Sequence, residues 1–313
     1  MKPLVEHGIN MRILHIWDQA GVACILAKYQ SRQGHLASVL RINGQDKYGI
    51  NRFYEEFVIY SSQEDFIQRS LKEAEAAQLI HIHSRLDVLF PLREKFGRSK
   101  KIILHYHGTD IRGLVSSKKN SPEPRSQINR ISNIIPQSKS FLRKKLWRKS
   151  SSYKIHKKAL STADAVLVST PDLLSLAEGA TYLPNPIDTE HFKPDESPRK
   201  DRKRALTIDT EATDVRRTLK YCKSHNMDTE IEVYDRTQKP VMYGKMPNFL
   251  KGYEIYVDVR YVNGQVLENL SKTALESLAC GLEVLDHRLE YRRGLPLEYN
   301  PSTVLSKLSN FYL

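Results

Sequence analysis

A chain of 313 residues, 40% hydrophobic and 27% charged, is long enough for two domains with real cores and has an ordinary globular composition. Its formal charge of +13 is not ordinary and asks for a negatively charged partner: nucleic acid, an anionic membrane surface or a phosphorylated substrate. Three scattered cysteines, Cys24, Cys222 and Cys280, give no disulfide or metal framework and suit a reducing, cytoplasmic setting, and no apolar run is long enough to span a bilayer.

Residues 1–10 have no apolar stretch of the kind a signal peptide needs and read as an extension. Residues 11–17 (MRILHIW) are a short apolar run, followed by a glycine turn at Ala20-Gly21 and an amphipathic stretch over 22–33. Gly34 ends that stretch, and residues 36–42 are apolar again. This pattern predicts strand, helix, strand. The alternation continues with strands at 57–60, 79–83, 102–107 and 165–169 and helices at 62–77 and 88–96. Such alternation implies a parallel sheet covered on both faces. Residues 194–204 (PDESPRKDRKR) read as a linker between a domain over 11–193 and a second over 205–313. The second half repeats the pattern: strands at 205–208, 230–234, 254–259 and 283–286, helices at 215–225, 271–280 and 301–313.

Residues 113–160 break this pattern and hold one acidic residue, Glu123. Their basic part includes Lys139, Arg143, Lys144, Lys145 and Arg148, interleaved with Phe141 and Trp147. Near an anionic membrane each such charge contributes roughly 1 kcal/mol, and the aromatic residues can dip into the interface. The segment therefore reads as a peripheral membrane or acceptor-facing surface, with a solvated charged helix as the plainer alternative. No nucleic-acid-binding signature accompanies it.

The segment running from Glu268 through NLSKTAL to Glu276 carries the most chemistry. Ser271 is a good N-cap for a helix that Gly281 stops. The first-turn amides of that helix have no internal acceptor and, with the helix dipole, suit a pyrophosphate. Lys272 adds a full positive charge in the same turn. A carboxylate such as Glu276 can accept two hydrogen bonds from a vicinal diol, and Glu268 stands just ahead of the helix. On spacing alone, a solvated helix with surface acids is the favoured reading, since two glutamates eight apart are common.

Together with the ACGLEVL that follows it, this stretch resembles the E-x7-E signature of retaining glycosyltransferases of the GT-B fold, glycosyltransferase family 4 in particular. Residues 11–17 with Ala20-Gly21, Gly34-His35, the HGTD at 107–110, the STPDL at 169–173 and the LPNPID at 183–188 resemble further stretches of that family, in the same order. The resemblance implies an α/β, GT-B architecture of two Rossmann-like domains around a central cleft, with the donor on the C-terminal side and the acceptor on the N-terminal side. It implies that Glu268 contacts the donor sugar, that Glu276 binds the nucleotide ribose, and that the backbone of Asn269, Leu270 and Ser271 approaches the diphosphate. His107 would face the transferred sugar, making it and Glu268 the catalytic pair. The loop at Gly21 would lie near the donor phosphate or the acceptor. The implied reaction uses a nucleotide-sugar as substrate, without cofactor or metal, and moves a hexose to a saccharide or lipid-linked acceptor.

The sequence also departs from the family. The Arg and Lys that usually follow the first strand of the second domain are missing; DTEATDVRR stands there, leaving Arg216, Arg217, Arg260 and Lys272 as substitutes at the diphosphate. Ala20 occupies the place of a glycine, and the C-terminal domain looks shortened. These departures keep two alternatives open: a sugar-nucleotide epimerase or phosphorylase on the same fold, and a non-catalytic, basic, membrane-associated binding protein. The pairs His81/His83 and His105/His107 have the spacing of residues sharing a strand face, but no carboxylate or cysteine completes a familiar metal set. They read as polar residues at the carboxyl ends of parallel strands, where such sheets place their sites.

Overall fold

The computed structural model describes residues 10–112, 151–194, 204–209, 214–225, 230–262 and 265–312. The predicted extension at 1–10, except for its last residue, and the basic residues at 139–148 lie outside these. In the first half the short apolar runs become β1 (Arg12–Ile16), β2 (Leu36–Ile42), β3 (Val58–Ser61), β4 (Leu79–His83), β5 (Lys101–Tyr106) and β6 (Ala165–Val168), with a two-residue β7 (Thr181–Tyr182) at the edge. They form one sheet in the order β3-β2-β1-β4-β5-β6-β7, every neighbouring pair parallel. The helices between them are α1 (Val22–Arg32), α2 (Ile50–Phe53), α3 (Phe66–Ala76), α4 (Leu86–Phe96), α5 (Thr109–Arg112) and α6 (Ser151–Thr162).

Period-two alternation sends the strand residues to two different cores. Leu14, Leu40, Ile80 and Leu104 pack with Phe66 of α3 and Val88 and Leu92 of α4. On the opposite face Ile13, Leu79 and Ile103 pack with Val22 and Leu26 of α1. Helix α3 begins at Phe66 and not at residue 62, because Ser62 and Asp65 turn on each other first: the Ser62 hydroxyl bonds the Asp65 carboxylate at 2.8 Å and accepts the Asp65 amide at 3.0 Å.

The second half holds β8 (Ala205–Asp209), α7 (Val215–Ser224), β9 (Ile231–Asp235), α8 (Met246–Leu250), β10 (Ile255–Val257), a small hairpin of β11 (Tyr261–Val262) and β12 (Gln265–Val266), α9 (Lys272–Ala279), β13 (Glu283–Leu285), β14 (Tyr291–Arg292) and α10 (Pro301–Ser309). Its sheet runs β14-β13-β10-β8-β9, parallel except for β14. Among the described residues, five strands against seven make this the smaller of two Rossmann-like units, as the sequence implies. Helix α10 returns to the first half: Val304, Leu305 and Leu308 pack with Ile13, Val22 and Leu26.

One apolar core runs across both halves, joining Ala23, Ala27, Val39 and Tyr54 to Leu206, Tyr243, Met246 and Leu278. A buried polar group sits at the seam. The Asp188 carboxylate, fully buried, accepts from Lys28 at 2.7 Å and from the hydroxyls of Tyr54 at 2.7 Å and Tyr29 at 3.0 Å. The Tyr54 and Tyr243 hydroxyls are 3.1 Å apart, and the Tyr243 amide donates to the Tyr48 carbonyl at 2.7 Å.

Candidate active site

The start of α9 is built as the sequence predicts. Ser271 is its N-cap, and the serine hydroxyl accepts the Ala274 amide at 3.0 Å. The cap is itself braced, because the Ser271 amide donates to the Asp258 carboxylate at 2.7 Å. Arg260 explains its own position here: it pairs with Asp258 at 3.0 Å and donates to the Asn269 carbonyl. Burial pushes the Asp258 carboxyl up, against the opposing pull of Arg260. Arg260 is thus a strut of the loop over 258–271, and its guanidinium is spent on that loop and not on the cleft. Arg216, also expected at the diphosphate, is exposed on α7 and does not line the cleft either.

Across from α9 stands the turn between β1 and α1. Gly21 holds φ 84°, and a side chain there would meet the Lys272 ammonium at 3.4 Å, so the two predicted loops do face each other. Nothing in the linear order of residues reveals what Asp18 does in this turn. Its carboxylate is buried and accepts the amides of Gly21 at 2.8 Å and Ala23 at 2.7 Å. The start of α1 therefore already holds an anion of its own. A second anion at those amides would meet like charge, which leaves the start of α9 as the better seat for phosphate.

Between these two turns lies a cleft of about 330 Å³ walled by both halves. Trp17, Asp18, Arg41, Lys47 and Tyr48 come from the first half, and Arg236, Tyr243, Lys272 and Glu276 from the second. Lys272 pairs with Glu276 at 3.0 Å. The Arg41 guanidinium lies 3.8 Å over the Trp17 ring and donates to the carbonyls of Asp18 and Gln45, at 3.0 and 3.1 Å. Arg236, which sequence reasoning passed over, lies 3.9 Å over the Tyr48 ring, and its Nε has no hydrogen-bond partner. A guanidinium held flat on an aromatic face with donors to spare suits a phosphate. Glu276 is buried in this wall; Glu268 is exposed in the loop before α9 and takes no part in the lining. The side chains of Asn269 and Leu270 are half-buried beside it.

His107 is not in the cleft wall but in a cluster of histidines at the end of β5. Its backbone amide donates to Asp110 at 2.9 Å, and its Nε2 is 2.9 Å from Nδ1 of His83. Burial lowers the His107 pKa, with Asp110 and Asp18 opposing. Burial likewise holds His81, His83 and His105 well below the ordinary imidazole range, each with further depression from neighbouring histidines. It takes His15 to about 4, against its hydrogen bond to the Gln30 carbonyl oxygen and the field of Asp18. All five are neutral near pH 7.

No protein-family model and no curated protein matches the chain. Solved structures do match it in fold. An α-glucosyltransferase in complex with UDP and a 13-mer DNA containing an HMU base has a TM-score of 0.54 at 10% identity, over 97% of this chain and 90% of that chain. An α-glucosyltransferase in complex with UDP gives 0.52 at 11% identity, over 88% and 80%. Anabaena HepE in complex with UDP and glucose gives 0.51 at 10% identity, over 96% and 89%. With its two Rossmann-like sheets, parallel but for β14, and the cleft they wall, the chain has the fold of the GT-B glycosyltransferases.

Proposed function

We propose that this protein is a glycosyltransferase that moves a hexose from a nucleotide-sugar to a saccharide or lipid-linked acceptor, with retention and without metal at the diphosphate. The observation that carries the reading is the cleft: the capped start of α9, Lys272 and Arg236 converge on it from one side and the Gly21 turn from the other. The diphosphate lies on the first-turn amides of α9, with Lys272 and Arg236 supplying the charge that an Arg/Lys pair after β8 would otherwise bring. Preorganised positive charge there stabilises the departing phosphate more than the bound donor, which is what lowers the barrier. Glu276 has one carboxylate oxygen on Lys272 and the other for ribose hydroxyls. Glu268 reaches the donor sugar from the loop, and His107 faces the transferred sugar from the N-terminal side. The leaving phosphate takes the acceptor proton.

UDP and UDP-glucose are bound by the fold neighbours and make UDP-glucose the first donor to try. A thermal-shift panel of UDP-, GDP- and ADP-sugars tests the reading, since a ligand that binds only the folded state raises its stability by mass action. At a donor concentration one hundred times Kd the gain is about 2.7 kcal/mol. The Glu268→Ala protein is expected to keep the shift and lose turnover. For a lipid-linked acceptor, the basic residues at 139–148 hold the protein at an anionic leaflet. Liposome flotation that ignores anionic lipid would remove that part.

A second reading is a binding protein without turnover. It is favoured by Glu268 standing exposed and away from the cleft wall, and by the absent Arg/Lys pair. Donor binding with no hydrolysis or transfer, in wild type and Glu268→Ala alike, would establish it.

A further inference from the structure

The two histidine pairs visible in the sequence become a cluster of five in the fold. His15 on β1, His81 and His83 on β4, and His105 on β5 stand on the same sheet face as Ile13, Leu79 and Ile103, and His107 follows β5. Strand register sets His15 beside His81 and His83 beside His105. The first four are fully buried, and the rings lie with centroids from 4.3 to 5.5 Å apart.

The protons in part of this cluster can be assigned by following donors. The Gln30 amide nitrogen donates to the Tyr312 hydroxyl at 2.6 Å, so its oxygen, 2.7 Å from Nε2 of His15, accepts from that nitrogen. A neutral imidazole carries one N–H, so Nδ1 of His15 is bare and accepts from Nε2 of His83, 3.1 Å away. Nδ1 of His83 is then bare too, and its lone pair points at Nε2 of His107, 2.9 Å away. Meanwhile neither ring nitrogen of His81 or His105 has a hydrogen-bond partner. Leaving a buried polar group unsatisfied is costly, and a structure rarely does so without a reason.

We propose that His83, His105 and His107 bind one imidazole-seeking transition-metal ion, with Zn²⁺ as the type case. One nitrogen from each lies within 4.8 Å of the other two. Three nitrogens at about 2.0–2.1 Å from a tetrahedral Zn²⁺ stand roughly 3.3 Å apart, so the ligands need to shift only modestly. Three neutral imidazoles suit Zn²⁺, Ni²⁺ or Cu²⁺, whereas Mg²⁺ and Ca²⁺ require oxygen ligands. The chain from His83 through His15 and Gln30 to Tyr312 orients the ligand ring from outside, as partners of metal-bound histidines do. His107 is the partly exposed member and gives the ion, and a fourth solvent ligand, their way in. Binding requires His107 to change tautomer, its proton leaving Nε2 for Nδ1, which has no hydrogen-bond partner, so no net proton is released; Nδ1 of His83 and one nitrogen of His105 are already bare. The inference is argued from the histidine cluster and shares only His107 with the transfer reading; metal retention is read out separately from donor binding and transfer.

The test uses the full chain, stripped with a chelator and titrated with Zn²⁺, then desalted and assayed for bound metal. One retained equivalent is expected, with a raised melting midpoint, and Mg²⁺ produces neither. His83→Gln and His105→Gln should each lose at least tenfold in affinity, while His225→Gln, an exposed histidine outside the cluster, keeps it. X-ray absorption on zinc-loaded wild type should show imidazole nitrogens at about 2.0 Å. This last measurement decides the matter if the cluster variants do not fold. A wild-type chain that retains no zinc, retention undiminished in both cluster variants, or a spectrum of oxygen ligands only would overturn the proposal.

Discussion

Ala20 and Gly21 both hold positive φ, 55° and 84°, in the turn before α1. For alanine that region costs roughly 1–2 kcal/mol, and for glycine almost nothing. Ala20→Gly gives back part of that gain as chain entropy, so a net stabilisation of about 0.5–1 kcal/mol is expected in urea unfolding. Asp18 fixes the same turn through two amides, and Asp18→Ala should cost about 1–2 kcal/mol, as lost helix caps do. Local chemistry was readable at this scale: Ser271 caps the helix it was predicted to cap, since an N-cap depends only on the residues within one turn. The partners of Arg260 were not readable. Its guanidinium meets Asp258 and the Asn269 carbonyl because a small hairpin folds the loop back, and nothing in a linear reading shows that return. Arg236 was passed over for the same reason, because Tyr48, the ring it lies on, comes from the other half of the chain.

At the scale of elements, the seam between the halves depends on Asp188. Burial opposes its charge, but Lys28 and the hydroxyls of Tyr54 and Tyr29 outweigh burial and hold the carboxyl below its ordinary value. A depressed folded pKa means that its stabilisation is complete above about pH 4, the unfolded carboxyl value, and is lost as pH falls through the lower folded value. Urea unfolding at steps from pH 5 to pH 2 should therefore show wild type losing stability that Asp188→Asn does not have to lose. Asp188→Ala leaves Lys28 without its buried partner and should cost about 3–5 kcal/mol, the usual penalty for breaking such a pair. A variant within 1 kcal/mol of wild type would show the seam to be held by its apolar core alone. The strands and long helices were legible because period-two and period-3.6 patterns are properties of consecutive residues. The two-residue strands β7 and β14 were not, because so short an element has no period to read.

At the scale of the molecule, strand order does what the sequence could only imply. Placing β1 between β2 and β4 brings His15 to His81 and His83 and sets the Gly21 turn against α9. Helix α10 ties the end of the described chain to the first sheet, and Leu308→Ala should cost about 2–5 kcal/mol as a buried deletion. None of the described helices is long and apolar enough to cross a membrane. The cleft between the sheets is the feature on which the functional reading stands, and the phosphate-binding role of Lys272 and Arg236 is its sharpest commitment. Calorimetric titration of UDP-glucose into wild type, Lys272→Ala and Arg236→Ala tests it most directly. Wild type should bind saturably and each variant should lose at least tenfold in affinity, since a charge-assisted hydrogen bond to phosphate is worth about 1.5–3 kcal/mol. Saturable binding left unchanged by both substitutions would contradict it.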